Sequence, residues 1–233
     1  NCGWSSDVCS SHLNREIFID GVKEILGIEP EVIPGSEEAA LSFIGATKEL
    51  KHADAPYLVV DIGGGSTEFV LGTEEVKYAK SVNIGCVRMA ERHLKISPPK
   101  PLDVQNAIAD IDKAIFEASH IVPLTEAKTL IAVAGTATTV AAAALNLDQY
   151  DRYAIHLSRI PTERVLEVAQ RFSLMKRDEL AALPYMHPGR VDVIAAGAIV
   201  LSRVMVATGA KEFVASESDI LDGMAWSLSQ STN

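Results

Sequence analysis

The sequence predicts an α/β protein whose mixed sheet is flanked by helices, and three observations carry that reading. Short runs rich in Val, Ile, Tyr and Phe recur at 57–62, 67–72, 76–84, 129–134 and 212–215, with the length and composition of strands. Longer segments with apolar residues at helical spacing lie at 86–95, 102–119, 137–146, 191–208 and 219–229. The resulting order is three strands, helix, strand, helix, strand, helix. It combines antiparallel neighbours with crossovers that should be right-handed.

The elements follow in order. Ile17, Ile19, Val22, Ile25 and Leu26 space out a helix over 14–26 that Gly27 stops. A short strand is expected at 31–33. Pro34 and Gly35 then turn into a helix with Ser36 as N-cap, and Glu37 and Glu38 favour its first turn. Leu41, Phe43 and Ile44 give that helix apolar contacts up to about Leu50, and a polar linker covers 51–55. Val104, Ile108, Ile111 and Ile115 set the helix at 102–119. The uncharged stretch 129–147 divides into a strand, a turn at Gly135 and Thr136, and an alanine-rich helix, so it is not a membrane span. An insertion at 150–187 holds two short helices, 162–172 and 176–182. This order is that of a ribonuclease-H-like unit.

Composition sets bounds. At 233 residues, with 48% hydrophobic and 22% charged residues, the chain can bury a full core. A net charge of −10 argues against nucleic-acid binding and restricts any polyanion to a local pocket. Cys2, Cys9 and Cys86 are odd in number and lack metal-ligand spacing, which suits a reducing cytoplasm. Residues 1–13 have neither the basic start nor the apolar middle of a signal peptide. Their SDVCSSHL segment resembles the translation of a sequencing adapter, so a non-native leader is expected there.

The chemistry concentrates in Asp61-Ile-Gly-Gly-Gly-Ser-Thr-Glu68. A buried strand delivers Asp61, and three glycines allow a sharp turn with bare N–H groups facing an anion. The chain then re-enters a strand at Glu68. A dinucleotide fingerprint needs a third spaced glycine and a following helix. A Walker loop needs a lysine at its end, and none follows before Lys77. Two carboxylates and a hydroxyl around open amides suit a Mg²⁺–phosphate pair.

The stretch VVDIGGGSTEFVLG resembles the second phosphate loop of the actin, sugar-kinase and Hsp70 fold group. Its GGGSTE form is similar to the exopolyphosphatase / guanosine pentaphosphate phosphohydrolase (Ppx/GppA) family. EVIPGSEEAALSFIGA, SVNIGCVRMAERHL, LIAVAGTATTVAA, LPYMHPGRVDVIAAGA and SESDILDGMAW agree with that family in order and spacing.

The resemblance implies an actin-like ATPase fold and a phosphohydrolase acting on inorganic polyphosphate or on the 5′-γ-phosphate of guanosine pentaphosphate. It implies Glu38 as catalytic base, although from spacing alone Glu38 reads as a helix N-terminal glutamate with Glu37 its solvated neighbour. It implies Asp61 and Glu68 as Mg²⁺ ligands. Gly63, Gly64, Gly65, Ser66 and Thr67 would bind phosphate, with Arg88 in support. Residues 14–50 then read as the remnant of a first actin-like domain and 57–233 as the second. A chain so truncated should turn over little and should self-associate as a homodimer. An ATP-dependent sugar- or acetate-kinase-like phosphotransferase is the alternative. His187 and Arg190 face the cleft or are solvated turn residues; both readings stand. Cys86 reads as a small buried residue, and His93, His120 and His156 lack ligand spacing.

Overall fold

The computed structural model describes residues 15–28, 30 and 33–231. Their elements are α1 (Arg15–Leu26), α2 (Gly35–Thr47), β1 (Tyr57–Ile62), β2 (Thr67–Gly72), β3 (Val76–Val82), α3 (Cys86–His93) and α4 (Pro101–Ser119). There follow β4 (Thr129–Val133), α5 (Ala134–Ala144), α6 (Arg152–Ile155), β5 (Arg159–Pro161), α7 (Thr162–Leu174), α8 (Arg177–Ala181), α9 (Ile194–Thr208), β6 (Glu212–Ala215) and α10 (Ile220–Ser231). One mixed sheet runs in the order β3-β2-β1-β4-β6-β5. Strands β1, β4 and β6 are parallel, while β2, β3 and β5 extend the sheet antiparallel at its two sides.

The period-two alternation of strand side chains divides the core. Leu58, Val60, Ile62, Phe69 and Leu71 point to one face, where they join α3, α4, α5, α7 and α9 in the larger cluster. Tyr57, Val59, Val70, Ile131, Val133 and Val214 point to the other and meet Ala39, Phe43 and Ala46 of α2. Helix α10 lies against α2 at backbone contact. A Cβ on Gly45 would stand 2.1 Å from the Asp219 carbonyl oxygen, and one on Gly223 1.9 Å from that of Leu41. Only glycine at both positions permits this approach. Helix α2, placed in the first segment by the sequence, thus covers one face of this sheet.

Several expectations need correction. Of the strand expected at 31–33, residues 31 and 32 lie outside the described residues and Ile33 is not in a strand. Helix α2 begins two residues early, with extended Pro34 preceding it and its carbonyl accepting from Glu37 and Glu38, so Ser36 sits in the first turn and caps nothing. Helix α5 starts directly at Ala134 instead of after a turn. The insertion contains α6 and an edge strand, β5, whose Pro161 requires no ladder partner for a missing N–H. The helix expected from 191 begins at Ile194, behind a 3₁₀ turn at Pro188–Arg190. Among the described residues no helix is long and apolar enough to cross a membrane.

Candidate active site

The carboxyl ends of β1, β4 and β6 open on the same end of the sheet, the usual ligand position in open α/β sheets. Asp61 stands directly opposite Glu68 on β2 and beside Val133 on β4. Directly opposed residues share a face of the sheet, so two carboxylates are neighbours here, an arrangement that destabilises a purely structural hairpin.

The glycine loop between them is held from behind. Cys86 N donates to Gly63 O (2.9 Å), Val87 N and Arg88 N donate to Gly64 O (2.9 and 3.0 Å), and Gly85 N donates to Gly65 O (3.1 Å). Arg88 Nε adds a second bond to Gly65 O at 2.7 Å. The first turn of α3 therefore spends its free N–H groups on the loop's carbonyls. The loop's own amides behave differently. Gly63 N closes the turn on Ser66 O (3.1 Å), while the amides of Gly64, Gly65 and Ser66 donate to nothing among the described residues. Three open N–H groups on a braced loop are the donors that an anion-binding nest requires.

Two expected phosphate contacts are turned inward. The Gly63 amide is committed to the turn, and the fully buried Thr67 donates to Ile84 O at 3.1 Å. Both shape the loop. Glu68 Oε1 accepts from Ser66 Oγ (2.6 Å) and Ser81 Oγ (2.7 Å), which fixes its carboxylate at the mouth of the turn.

Electrostatics bring the remaining acids to the same place. Burial pushes the Asp61 carboxyl up to about 7, with Glu68, Asp219 and Glu38 adding to the shift in that order. Glu38, half-buried in the first turn of α2, and Asp219, at the start of α10, thus converge on Asp61 from the helices that cover its face. Glu37 is exposed. Sequence reasoning missed Asp219. Its Oδ1 accepts from Leu221 N (2.8 Å) while Asp222 Oδ2 accepts from Asp219 N (3.0 Å), a reciprocal cap. The Asp-x-x-Asp spacing ahead of α10 was the available signal.

On the other side of the loop, Ala134 takes φ +62° where β4 turns straight into α5. A left-handed non-glycine residue costs about 1 kcal/mol or more and is common at functional turns. The Arg190 guanidinium lies over the next residue, Gly135, where a Cβ would stand 1.4 Å from Nη2. Arg190 makes no ion pair among the described residues, and its charge acts on both Cys86 and Tyr150. It faces the site; the exposed His187 caps its own turn by accepting from Gly189 N (3.1 Å). Cys86 is buried, and burial raises its thiol pKa, so it is a poor nucleophile. His93, His120 and His156 contact Asp110, the Phe116 carbonyl and Glu49 respectively. Among the described residues no three His, Cys, Asp or Glu side chains are grouped as metal ligands. A cavity of about 580 Å³ at the opposite end of the sheet, near Lys128, Thr129 and Glu212, touches none of these groups.

Comparison with known proteins identifies the family. A profile of the Ppx/GppA phosphatase family matches residues 9–231. The chain is 46% identical over 225 residues to Exopolyphosphatase 2 of Mycobacterium tuberculosis, covering 93% of this chain and 70% of that protein. It is 40% identical over 103 residues to a guanosine-5′-triphosphate,3′-diphosphate pyrophosphatase of Photobacterium profundum, covering 44% of this chain and 20% of the relative. The crystal structure of an exopolyphosphatase-like protein superposes with a TM-score of 0.90 at 40% identity, over 98% of this chain and 82% of the other. With its mixed, helix-flanked sheet and its braced glycine loop, the chain belongs to the Ppx/GppA phosphatase family.

Proposed function

We propose that this chain is a phosphohydrolase that removes the terminal phosphate of inorganic polyphosphate or the 5′-γ-phosphate of guanosine pentaphosphate. The observation that carries it is the glycine loop: every carbonyl from Gly63 to Ser66 is bonded, while the amides of Gly64, Gly65 and Ser66 stay open beside a cluster of carboxylates. A terminal phosphoryl group offers three equatorial oxygens to such donors, and preorganised amides stabilise the charge that builds there as the bond breaks. The names of the Mycobacterium and Photobacterium relatives supply the substrate classes.

In this reading Glu38 orients a water molecule and accepts its proton as the water oxygen attacks phosphorus. The bond from phosphorus to the bridging oxygen breaks, inorganic phosphate leaves, and the shortened polyphosphate or guanosine tetraphosphate keeps that oxygen. Ser66 and Ser81 hold the Glu68 carboxylate in place. Arg190 supplies positive charge across the loop from the acids.

The donor set fits Mg²⁺, which takes one or two protein carboxylates and completes its shell with water and phosphate oxygens. Asp61 and Glu68 would hold the ion, and when bound it would offset the charge of both carboxylates and phosphates. Burial is the larger cause of the raised Asp61 pKa and repulsion by Glu68 adds to it; that repulsion is what a cation would relieve.

Phosphate release from polyphosphate and from guanosine pentaphosphate, with and without Glu38→Gln, tests the reading. A loss of at least about 100-fold in kcat with binding retained is expected. Turnover unaffected by Glu38→Gln removes Glu38 as the base, and release from neither substrate overturns the function itself.

A further inference from the structure

Both ring nitrogens of His156 are bound. Nδ1 accepts from the Glu217 amide at 3.2 Å, and Nε2 lies 3.0 Å from Glu49 Oε1. A backbone amide can only donate, so Nδ1 presents its lone pair there. The ring proton then sits on Nε2 and points at the Glu49 carboxylate.

The backbone keeps the ring in this place. Leu157 N donates to Ala215 O (2.8 Å) and Ala215 N to Ser158 O (2.9 Å), which fastens the residues after His156 to the last residue of β6. Leu157 takes φ +59°, a left-handed conformation that is unfavourable for a residue with a Cβ and persists where surrounding bonds enforce it. The half-buried imidazole is thereby set against the loop 216–219 that leaves β6.

Both partners of the ring lead to the site. Glu217 Oε1 accepts from the Tyr150 hydroxyl at 2.5 Å, and the Arg190 charge acts on that same hydroxyl. Ser218 N donates to Ser216 Oγ (3.1 Å) and Ser216 Oγ to Ser218 O (2.9 Å), so a displacement at Glu217 is passed along the loop to Asp219. Asp219 is one of the acids whose charge reaches Asp61. Glu49 lies two residues beyond the end of α2, the helix that carries Glu38. One side chain therefore joins the supports of Glu38 and Asp219.

We infer that His156 is a positioning residue: bound between Glu49 and the Glu217 amide, it fixes the loop 216–219 and so sets where Asp219 and Tyr150 stand in the site. This rests on the phosphohydrolase reading and adds to it a residue that acts through others.

The parent protein, His156→Asn and His156→Phe test it. Asparagine keeps an acceptor where Nδ1 stands, while phenylalanine keeps the ring and loses both bonds. Hydrogen exchange at the Glu217 amide should quicken about tenfold in His156→Phe, the loss of one bond, and stay slow in His156→Asn. In phosphate release His156→Phe should lower kcat about tenfold with KM within about twofold of the parent, and His156→Asn should restore kcat. Quickened exchange in His156→Phe with an unchanged kcat, or a loss that His156→Asn does not restore, overturns the positioning role. Unchanged exchange in His156→Phe overturns the contact itself. Exchange that follows the expectation, in a parent that releases phosphate from neither polyphosphate nor guanosine pentaphosphate, would sink the hydrolase reading and leave the loop contact standing.

Discussion

The guanidinium of Arg190 lies against the backbone of Gly135, in the space that any side chain at 135 would occupy. The obstructing atoms belong to the tip of a flexible side chain, so Gly135→Ala can be accommodated by swinging Arg190 aside. The fold should survive and the site should not. KM for either substrate is expected to rise about tenfold, the loss of one charge-assisted contact, with the melting temperature shifting by no more than about 2 °C. Arg190→Ala should give the same KM change, and the double variant no more than either alone. Additive losses would show that the two residues act separately.

Asp61 gives the site a pH signature in stability. Its carboxyl is held at about 7 in the fold against an ordinary 3.8, so between those values the folded state binds more protons than the unfolded one. Its contribution is fully present below pH 4 and is lost as pH rises through 7, with an upper bound of about 4 kcal/mol. Asp61→Asn should therefore be more stable than the parent in chelator-containing buffer at pH 8, with the advantage shrinking toward pH 4. Melting curves for both proteins across that range check this. Parallel pH profiles would refute a raised Asp61 carboxyl, the joint result of burial and of Glu68, Asp219 and Glu38.

A further expectation concerns the joint between α2 and α10. Gly45→Ala places a methyl group 2.1 Å from the Asp219 carbonyl, an atom of backbone that cannot rotate away. The helices must separate, at a cost of about 1–3 kcal/mol. Because α2 carries Glu38 and α10 is capped by Asp219, kcat should fall together with stability. Gly21→Ala on α1 has no atom within 4 Å of its added Cβ and serves as the control. Chemical denaturation and phosphate release on both variants decide it, and an unchanged kcat in a destabilised Gly45→Ala protein would separate the joint from the site.

Much of the fold was legible in the residues because its signals are local. The apolar run 57–60 and the glycines that follow announce a buried strand and a turn, and the structure has both. The Asp61–Glu68 pairing also follows from a short hairpin, since register is set by the turn. What sequence did not disclose depends on tertiary contacts. Which amides of the loop stay open is decided by α3, whose first turn takes up the carbonyls from more than twenty residues away. Asp219 comes to Asp61 only because Gly45 and Gly223 let two helices touch, and each glycine alone reads as a weak point in a helix. Strand β5 is three residues long and ends in proline, below what periodicity can detect.

The bracing of the loop by α3 can be tested at one atom. A Cβ on Gly85 would stand 2.4 Å from both the carbonyl carbon and the carbonyl oxygen of Gly64, and 2.6 Å from the Gly65 carbonyl carbon. Unlike the contact at Gly135, every obstructing atom is backbone, so the loop itself must move away from the helix. That movement breaks the bonds from Gly85, Cys86, Val87 and Arg88 that tie down its carbonyls, and it turns the open amides out of alignment. Gly85→Ala is expected to lower kcat by about 100-fold or more, as removing a preorganised donor does, and to destabilise the fold by about 1–3 kcal/mol. Gly64→Ala is the comparison, since its Cβ would meet Val87 Cγ2 at 3.4 Å, an ordinary contact. If Gly85→Ala turns over as well as Gly64→Ala does, the amides are not held by α3, and the anion nest must be organised by the substrate instead.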